Sequence, residues 1–291
     1  MLCVCGEKSP RKQEMKDDFY MTLQQTQGFL DVEGVRLYYT VNGAGEPLLL
    51  IHAGVADSRM WDEQIAVFAQ HYRVICYDVP GFGRTELRAG SFAYYDQIAA
   101  LLRVLGVERV HIVGISFGGK VALDFALSYP AMVASLVLIA PSVGGDTPSD
   151  DVRQFFAQED ALLEQGDLDG AAELNVRMWV DGPYRTPEQV NPRVRVRVRE
   201  MQRHAFTIVE PEGMEERPLT PPAIARLSEV TLPVLVLVGD QDIPSKVKLA
   251  EQLEQAIPHA RRVVIPGAAH MVTMEQPEVC NKLILDFLRT L

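Results

Sequence analysis

In Gly114-Ile115-Ser116-Phe117-Gly118, a serine stands two residues from a glycine on either side, and this is where the 291-residue chain most clearly offers chemistry. A serine hydroxyl is a weak nucleophile until a neighbouring base takes its proton. The spacing G-x-S-x-G presents such a hydroxyl on a sharp turn between a strand and a helix. The surroundings fit that geometry, because β-branched Val110-His-Ile-Val113 leads in and the apolar stretch 120–129 leads out. Strand and helix backbones pass so closely there that only residues without a Cβ fit at Gly114 and Gly118, and the serine must hold a strained conformation.

A base and an acid are available downstream. Leu232-Pro-Val-Leu-Val-Leu-Val238 reads as a buried strand and ends in Gly239-Asp240-Gln241-Asp242. Arg261-Arg-Val-Val-Ile265 reads as another and runs into Pro266-Gly-Ala-Ala-His270. Groups at the C-terminal ends of parallel strands can converge on a serine at the end of a neighbouring strand. The imidazole of His270 suits a general base at neutral pH. A carboxylate from Asp240 or Asp242 would fix its tautomer and stabilise the imidazolium. His71, His111, His204 and His259 read as structural or surface groups, and His52 as a structural group beside a turn.

The elements that must position these groups follow from periodicity and punctuation. Strands are predicted at 35–41, 47–51, 73–77, 110–115, 136–139, 234–238 and 262–265, and helices at 61–69, 94–105, 117–129, 246–256 and 277–291. Ser245 reads as an N-cap and Gly106 as a C-terminal glycine. Continuous apolar strands alternating with helices predict an α/β fold, a mostly parallel central sheet covered by helices. The alternation breaks over 144–222, too long for a plain connection, where helices are predicted at 154–165, 168–179 and 191–206. This segment is expected to be an inserted helical cap lying over the strand ends and excluding water. The core domain then comprises 28–143 and 223–291, and residues 1–27, of mixed charge, form a disordered N-terminal extension.

Taken together, these motifs resemble the α/β-hydrolases over nearly everything from residue 28 to 291, in the chain order Ser, Asp, His. Leu48-Leu-Leu-Ile-His52-Ala53-Gly54 is similar to the strand and turn that supply the family's oxyanion hole. Asp78-Val-Pro-Gly81-Phe82-Gly83-Arg84-Thr85 is similar to its turn after the next strand. The resemblance implies Ser116 as nucleophile, His270 as base and Asp242, the second polar position after the glycine, as acid. It implies backbone N–H groups of Gly54 and Phe117 as oxyanion donors, with Ala53 departing from the glycine many members carry. No metal or organic cofactor is implied. The resemblance points to a serine hydrolase of small esters or lactones, and the cap segment is similar to those of small-molecule carboxylester and enol-lactone hydrolases. Hydrolases of carbon–carbon bonds in ring-cleavage diketo acids also keep the serine and are the alternative. Catalytically slow, receptor-like relatives are a third class.

Trp179, Met178 and, beside His270, Met271 are the expected pocket residues. Phe155, Phe156 and Met201 either join them or form the cap's own core. The expected pocket is largely apolar and suited to neutral acyl groups, unless an arginine such as Arg177, Arg185 or Arg193 faces it and pairs with an anionic group. The alternating run Arg193-Val-Arg-Val-Arg-Val-Arg199 follows the helix start Asn191-Pro192 and reads as a solvated cap face rather than an RNA or membrane patch.

Bulk properties set the frame. A formal charge of −11 argues against nucleic-acid partners. A composition 47% hydrophobic and 23% charged is that of a globular chain with a sizeable core. Cys3, Cys5, Cys76 and Cys280 make no disulfide framework, and the C-x-C pair has no companion cluster of metal-ligand spacing. With no membrane span and no secretory signal, a cytoplasmic location and a small-molecule substrate are expected; a homo-oligomer is compatible with the sequence but nothing in it indicates one.

Overall fold

Runs rich in Val, Leu and Ile build the central sheet of the computed structural model, which describes residues 25–32 and 34–291. Its main strands are β1 (Gln25–Val32), β2 (Val35–Asn42), β3 (Glu46–Ile51), β4 (Tyr72–Tyr77), β5 (Val110–Ile115), β6 (Val133–Ile139), β7 (Val234–Gly239) and β8 (Ala260–Ile265). They lie in the order β1-β2-β4-β3-β5-β6-β7-β8. From β4 through β3 to β8 every pairing is parallel, whereas β1–β2 and β2–β4 are antiparallel. A two-residue strand, Glu86–Leu87, also adds antiparallel to β2.

Side chains alternate across this sheet as a two-residue period requires. Leu48, Leu50, Val113, Ile115, Leu235 and Leu237 share one core with Phe68 of α1 (Asp62–Phe68) and Ile284 of α9 (Pro277–Leu288). Leu49, Ile51, Ile112, Val236 and Val238 share the other core with α2 (Tyr94–Val104), α3 (Phe117–Ser128) and α7 (Pro244–Ala256). Burial on both faces is why the strands read as continuous apolar runs.

Several boundaries differ from those expected. Gln25, Thr26 and Gln27 do not belong to an extension: Gln25–Val32 is a strand, paired with β2 from Gln25↔Asn42 to Val32↔Val35. Its polar, largely exposed first half has no apolar alternation to betray it. The rest of the expected extension, residues 1–24, lies outside the described residues, as do Cys3 and Cys5. Strand β6 begins three residues earlier than expected, because buried Ser135 is satisfied inside the sheet by His111 Nδ1 at 2.8 Å. Ser245 does not cap α7. Pro244 occupies the first helical position and Ile243 precedes it, which places Ser245 inside the first turn. Gly106 does sit at a helix end with φ +67°.

Between β6 and β7 run α4 (Asp150–Glu164), α5 (Leu168–Val176), a π-helical turn (Arg177–Asp181) and α6 (Pro192–Ala205). The arginine-rich run is helical. Asn191 Oδ1 accepts from Arg193 N–H at 3.0 Å, and Pro192 opens the helix. Its arginines are not simply solvated. Arg195 bridges Asp181 and Glu173, Arg199 and Arg203 meet Asp169, and Arg197 meets Asp62. Cys76 and Cys280 are free, buried thiols; burial raises the pKa of both, that of Cys280 to about 12. Among the described residues no helix is long and apolar enough to cross a membrane.

Candidate active site

Ser116 joins β5 to α3 with φ 54° and ψ −116°, a positive-φ conformation that costs a non-glycine residue about 1–3 kcal/mol. Neighbours hold it there. Its N–H donates to Ile139 O and its carbonyl accepts from Ser142 N–H, both at 2.9 Å. A Cβ at Gly114 would lie 2.4 Å from Gly118 O, and one at Gly118 only 2.3 Å from Ile51 O and 2.5 Å from His52 O. Both glycines are therefore steric requirements of the turn. Gly118→Ala is expected to destabilise the protein by at least about 1–3 kcal/mol through overpacking against backbone that cannot retreat. Denaturant titration checks this, and an unchanged midpoint would contradict it.

His270 and Asp242 come together from the loops after β8 and β7. His270 Nδ1 lies 2.8 Å from Asp242 Oδ2, and both side chains are 1% exposed. Asp242 Oδ1 accepts from Ile243 N–H at 2.7 Å, which fixes the carboxylate plane. His270 Nε2 is buried and has no partner among the described residues, while His270 and Ser116 border one cavity. Asp240 is spent elsewhere, accepting from Gly267 N–H at 2.7 Å and Gln241 Nε2 at 2.9 Å in an exposed loop.

The His270 loop is braced from two sides. The Trp179 ring lies 4.7 Å from the imidazole, centroid to centroid. Glu275, which ends the short helix α8 (Val272–Glu275), accepts from Ala269 N–H at 2.9 Å and pairs with Arg185 at 2.6 Å. Arg185 also donates to Val180 O and Asp181 O, so the π-helical turn that carries Trp179 is tied to the loop that carries His270.

Gly54 and Phe117 are neighbours across the site, since a Cβ at Gly54 would lie 3.3 Å from Phe117 Cβ. The Phe117 N–H opens α3 and has no partner within the helix, and the helix dipole adds positive potential there. The Ala53 N–H instead faces Met60 Sδ at 3.4 Å, whereas Gly54 borders the cavity.

His52 does not border the cavity. Its Nε2 accepts from Val79 N–H and its Nδ1 donates to Ala53 O, each at 2.8 Å, so it stitches the Gly54 turn to the strand β4 exit as a neutral imidazole. Burial holds its pKa below the ordinary value, and burial lowers that of His111 as well. The unfolded chain thus binds these protons more readily. The stability they contribute is complete above about pH 6.5 and is lost as pH falls below it, at up to roughly 1.4 kcal/mol per pH unit for each proton taken up. The thermal midpoint is expected to fall between about pH 7.5 and 5.5, less steeply in His52→Gln; equal slopes would contradict this.

The cavity measures about 400 Å³, a size suited to small molecules. Phe82, Phe117, Phe155, Phe156 and Trp179 give it apolar walls, but Ser142, Glu159, Asn175, Gln202 and Lys246 also line it. Its surface is largely apolar, as expected, with these polar groups set into it. Met178 and Met271 do not border it, contrary to expectation. Met178 is half-buried against the core, and Met271 is wholly buried. Met201 is core as well. None of Arg177, Arg185 and Arg193 lines the cavity. Lys246 escapes a reading by residue type, and the signal that could have found it is periodic: Leu249, Ala250 and Leu253, three, four and seven residues on, form the buried face of the same helix. A larger cleft of about 780 Å³ beside β2 and α6 is walled by groups already engaged, such as Asp78, which accepts from Ser58 and Arg84 N–H groups.

Comparison with known proteins agrees with this architecture. The family model of the alpha/beta hydrolase fold matches residues 46–277. A 2-hydroxy-6-oxononadienedioate/2-hydroxy-6-oxononatrienedioate hydrolase of Burkholderia vietnamiensis is 31% identical over 273 residues, covering 88% of this chain and 91% of the relative. A thermophilic esterase from Thermogutta terrifontis, solved with malate bound, superposes with a TM-score of 0.75 at 27% identity over 90% of this chain and 98% of its own. Est816, described as an N-acyl homoserine lactone degrading enzyme, gives a TM-score of 0.70 at 25% identity over 89% and 100%. With its sheet order, elbow and family match in agreement, the chain belongs to the α/β-hydrolase fold family and is a hydrolase.

Proposed function

We propose that this protein is a serine hydrolase that cleaves a small carboxylic ester or lactone through an acyl-enzyme intermediate. The observation that carries the reading is the buried His270–Asp242 hydrogen bond, with His270 Nε2 left without a partner beside the cavity that Ser116 shares. In this reading Ser116 Oγ attacks the substrate carbonyl as His270 Nε2 takes its proton. Asp242 keeps the other ring proton on Nδ1 and stabilises the imidazolium. The N–H groups of Gly54 and Phe117 receive the developing oxyanion, where preorganised donors count most. His270 then protonates the departing alkoxide, and in the second half it draws a proton from water, which attacks the acyl-enzyme and restores Ser116.

The esterase and the lactone-degrading enzyme named above support an ester or lactone substrate. The curated relative, a hydrolase of a dienedioate, supports a second reading in which the same serine serves cleavage of a carbon–carbon bond. Purified protein assayed against aryl esters of graded chain length, lactones and vinylogous diketo acids separates the two. Turnover of short esters or small lactones is expected. Turnover of the diketo acids alone would replace this reading with the second, and turnover of none would overturn both.

A further inference from the structure

Lys246 is the only lysine or arginine among the described residues lining the cavity. Its ammonium donates to Ser142 Oγ at 2.8 Å and to Pro141 O at 3.2 Å, both neutral acceptors. An ammonium carries three donors, so one is unspent. Among the described residues no carboxylate lies within ion-pairing distance of Lys246, although lysines and arginines elsewhere in the molecule commonly have one. The acids that act on it from farther off are Asp242, already engaged by His270 and Ile243, and Asp146, which is exposed. Burial lowers the pKa of Lys246, the mark of a charge deprived of water without a matching partner. A neutral side chain could make the same two hydrogen bonds without that cost.

Its position is set relative to the reaction. Lys246 holds Ser142, and the Ser142 N–H holds the carbonyl of Ser116, so the ammonium stands one residue away from the backbone of the nucleophile. Two acids also line the cavity. Glu159 is hydrogen-bonded by Asn175 Nδ2, and burial pushes its carboxyl above the ordinary range. Asp146 lies on the exposed approach.

We propose that Lys246 is the specificity-determining residue of this site and receives a carboxylate carried by the substrate, so that the preferred substrates are hemiesters or lactones bearing one remote carboxylate. This rests on the serine-hydrolase reading and replaces the expectation of a neutral substrate. A carboxylate would take the unspent donor as a charge-assisted hydrogen bond.

The test compares 4-nitrophenyl hemiglutarate with 4-nitrophenyl pentanoate by kcat/KM in the wild type, Lys246→Gln and Lys246→Arg. The wild type is expected to favour the hemiester by roughly ten- to a hundredfold, the effect of a hydrogen bond to a charged group. That ratio should collapse in Lys246→Gln and be largely retained in Lys246→Arg. Calorimetry of glutarate against glutaramide, on wild type and on Ser116→Ala, needs neither turnover nor a lysine variant, and both proteins should bind glutarate selectively. No hemiester preference in the wild type, a preference that survives Lys246→Gln, or equal binding of glutarate and glutaramide would overturn the proposal. Full turnover in Ser116→Ala alongside selective glutarate binding would instead sink the serine reading and leave the anion site standing.

Discussion

Ser116→Ala is expected to lower turnover by roughly 10⁴–10⁶-fold with the fold intact. The elbow holds Ser116 between β5 and α3 through backbone bonds that alanine keeps, from its N–H to Ile139 O and from Ser142 N–H to its carbonyl. Only the hydroxyl is lost. His270→Ala should fall by a comparable factor, because the hydroxyl is then left without a base. The two effects should not add. A nucleophile and its base act as a unit, so the double variant should be little worse than either single one. Steady-state kinetics on the substrate found by the screen, with circular dichroism as the folding control, checks all three. Unchanged turnover in either single variant would contradict the assignment.

The second large effect separates two aspartates two residues apart. Asp242→Asn is expected to cost roughly 10⁴-fold, because the amide can donate to Nδ1 and so favours the wrong imidazole tautomer. Asp240→Asn should cost less than about tenfold, since Asp240 only accepts from Gly267 N–H and Gln241 in an exposed loop. Removing the Asp240 charge loosens that loop without touching His270. A crippled Asp240 variant beside an active Asp242 variant would reverse the roles.

Much of this arrangement is legible in the sequence because it rests on local rules. Gly114 and Gly118 flank Ser116 for steric reasons that any reader of the spacing can state, and the structure finds backbone atoms where a Cβ would go. The buried strands announce themselves by continuous apolar runs. The choice of Asp242 over Asp240 comes from the family resemblance, and the geometry pairs that residue with His270. What is not legible depends on tertiary direction. Strand β1 begins with exposed polar residues, so its pairing with β2 leaves no periodic trace. Met178 and Trp179 are adjacent in the π-helical turn, yet Met178 stays half-buried away from the cavity while Trp179 lines it and packs against His270. Arg185 looks like a surface arginine and is instead the half-buried tie between that turn and Glu275. Lys246 shares a helix face with buried Leu249, Ala250 and Leu253, but that this face borders a cavity is visible only in the structure.

Intact-mass and peptide mapping after treatment with a fluorophosphonate tests the central assignment most directly, because the reagent bonds preferentially to a serine whose hydroxyl is activated and needs no knowledge of the natural substrate. A single phosphonyl adduct on the peptide carrying Ser116, formed with loss of fluoride and absent from Ser116→Ala and from His270→Ala, is the predicted result. An adduct on another residue, or an unlabelled protein that still turns over an ester or lactone, would contradict it.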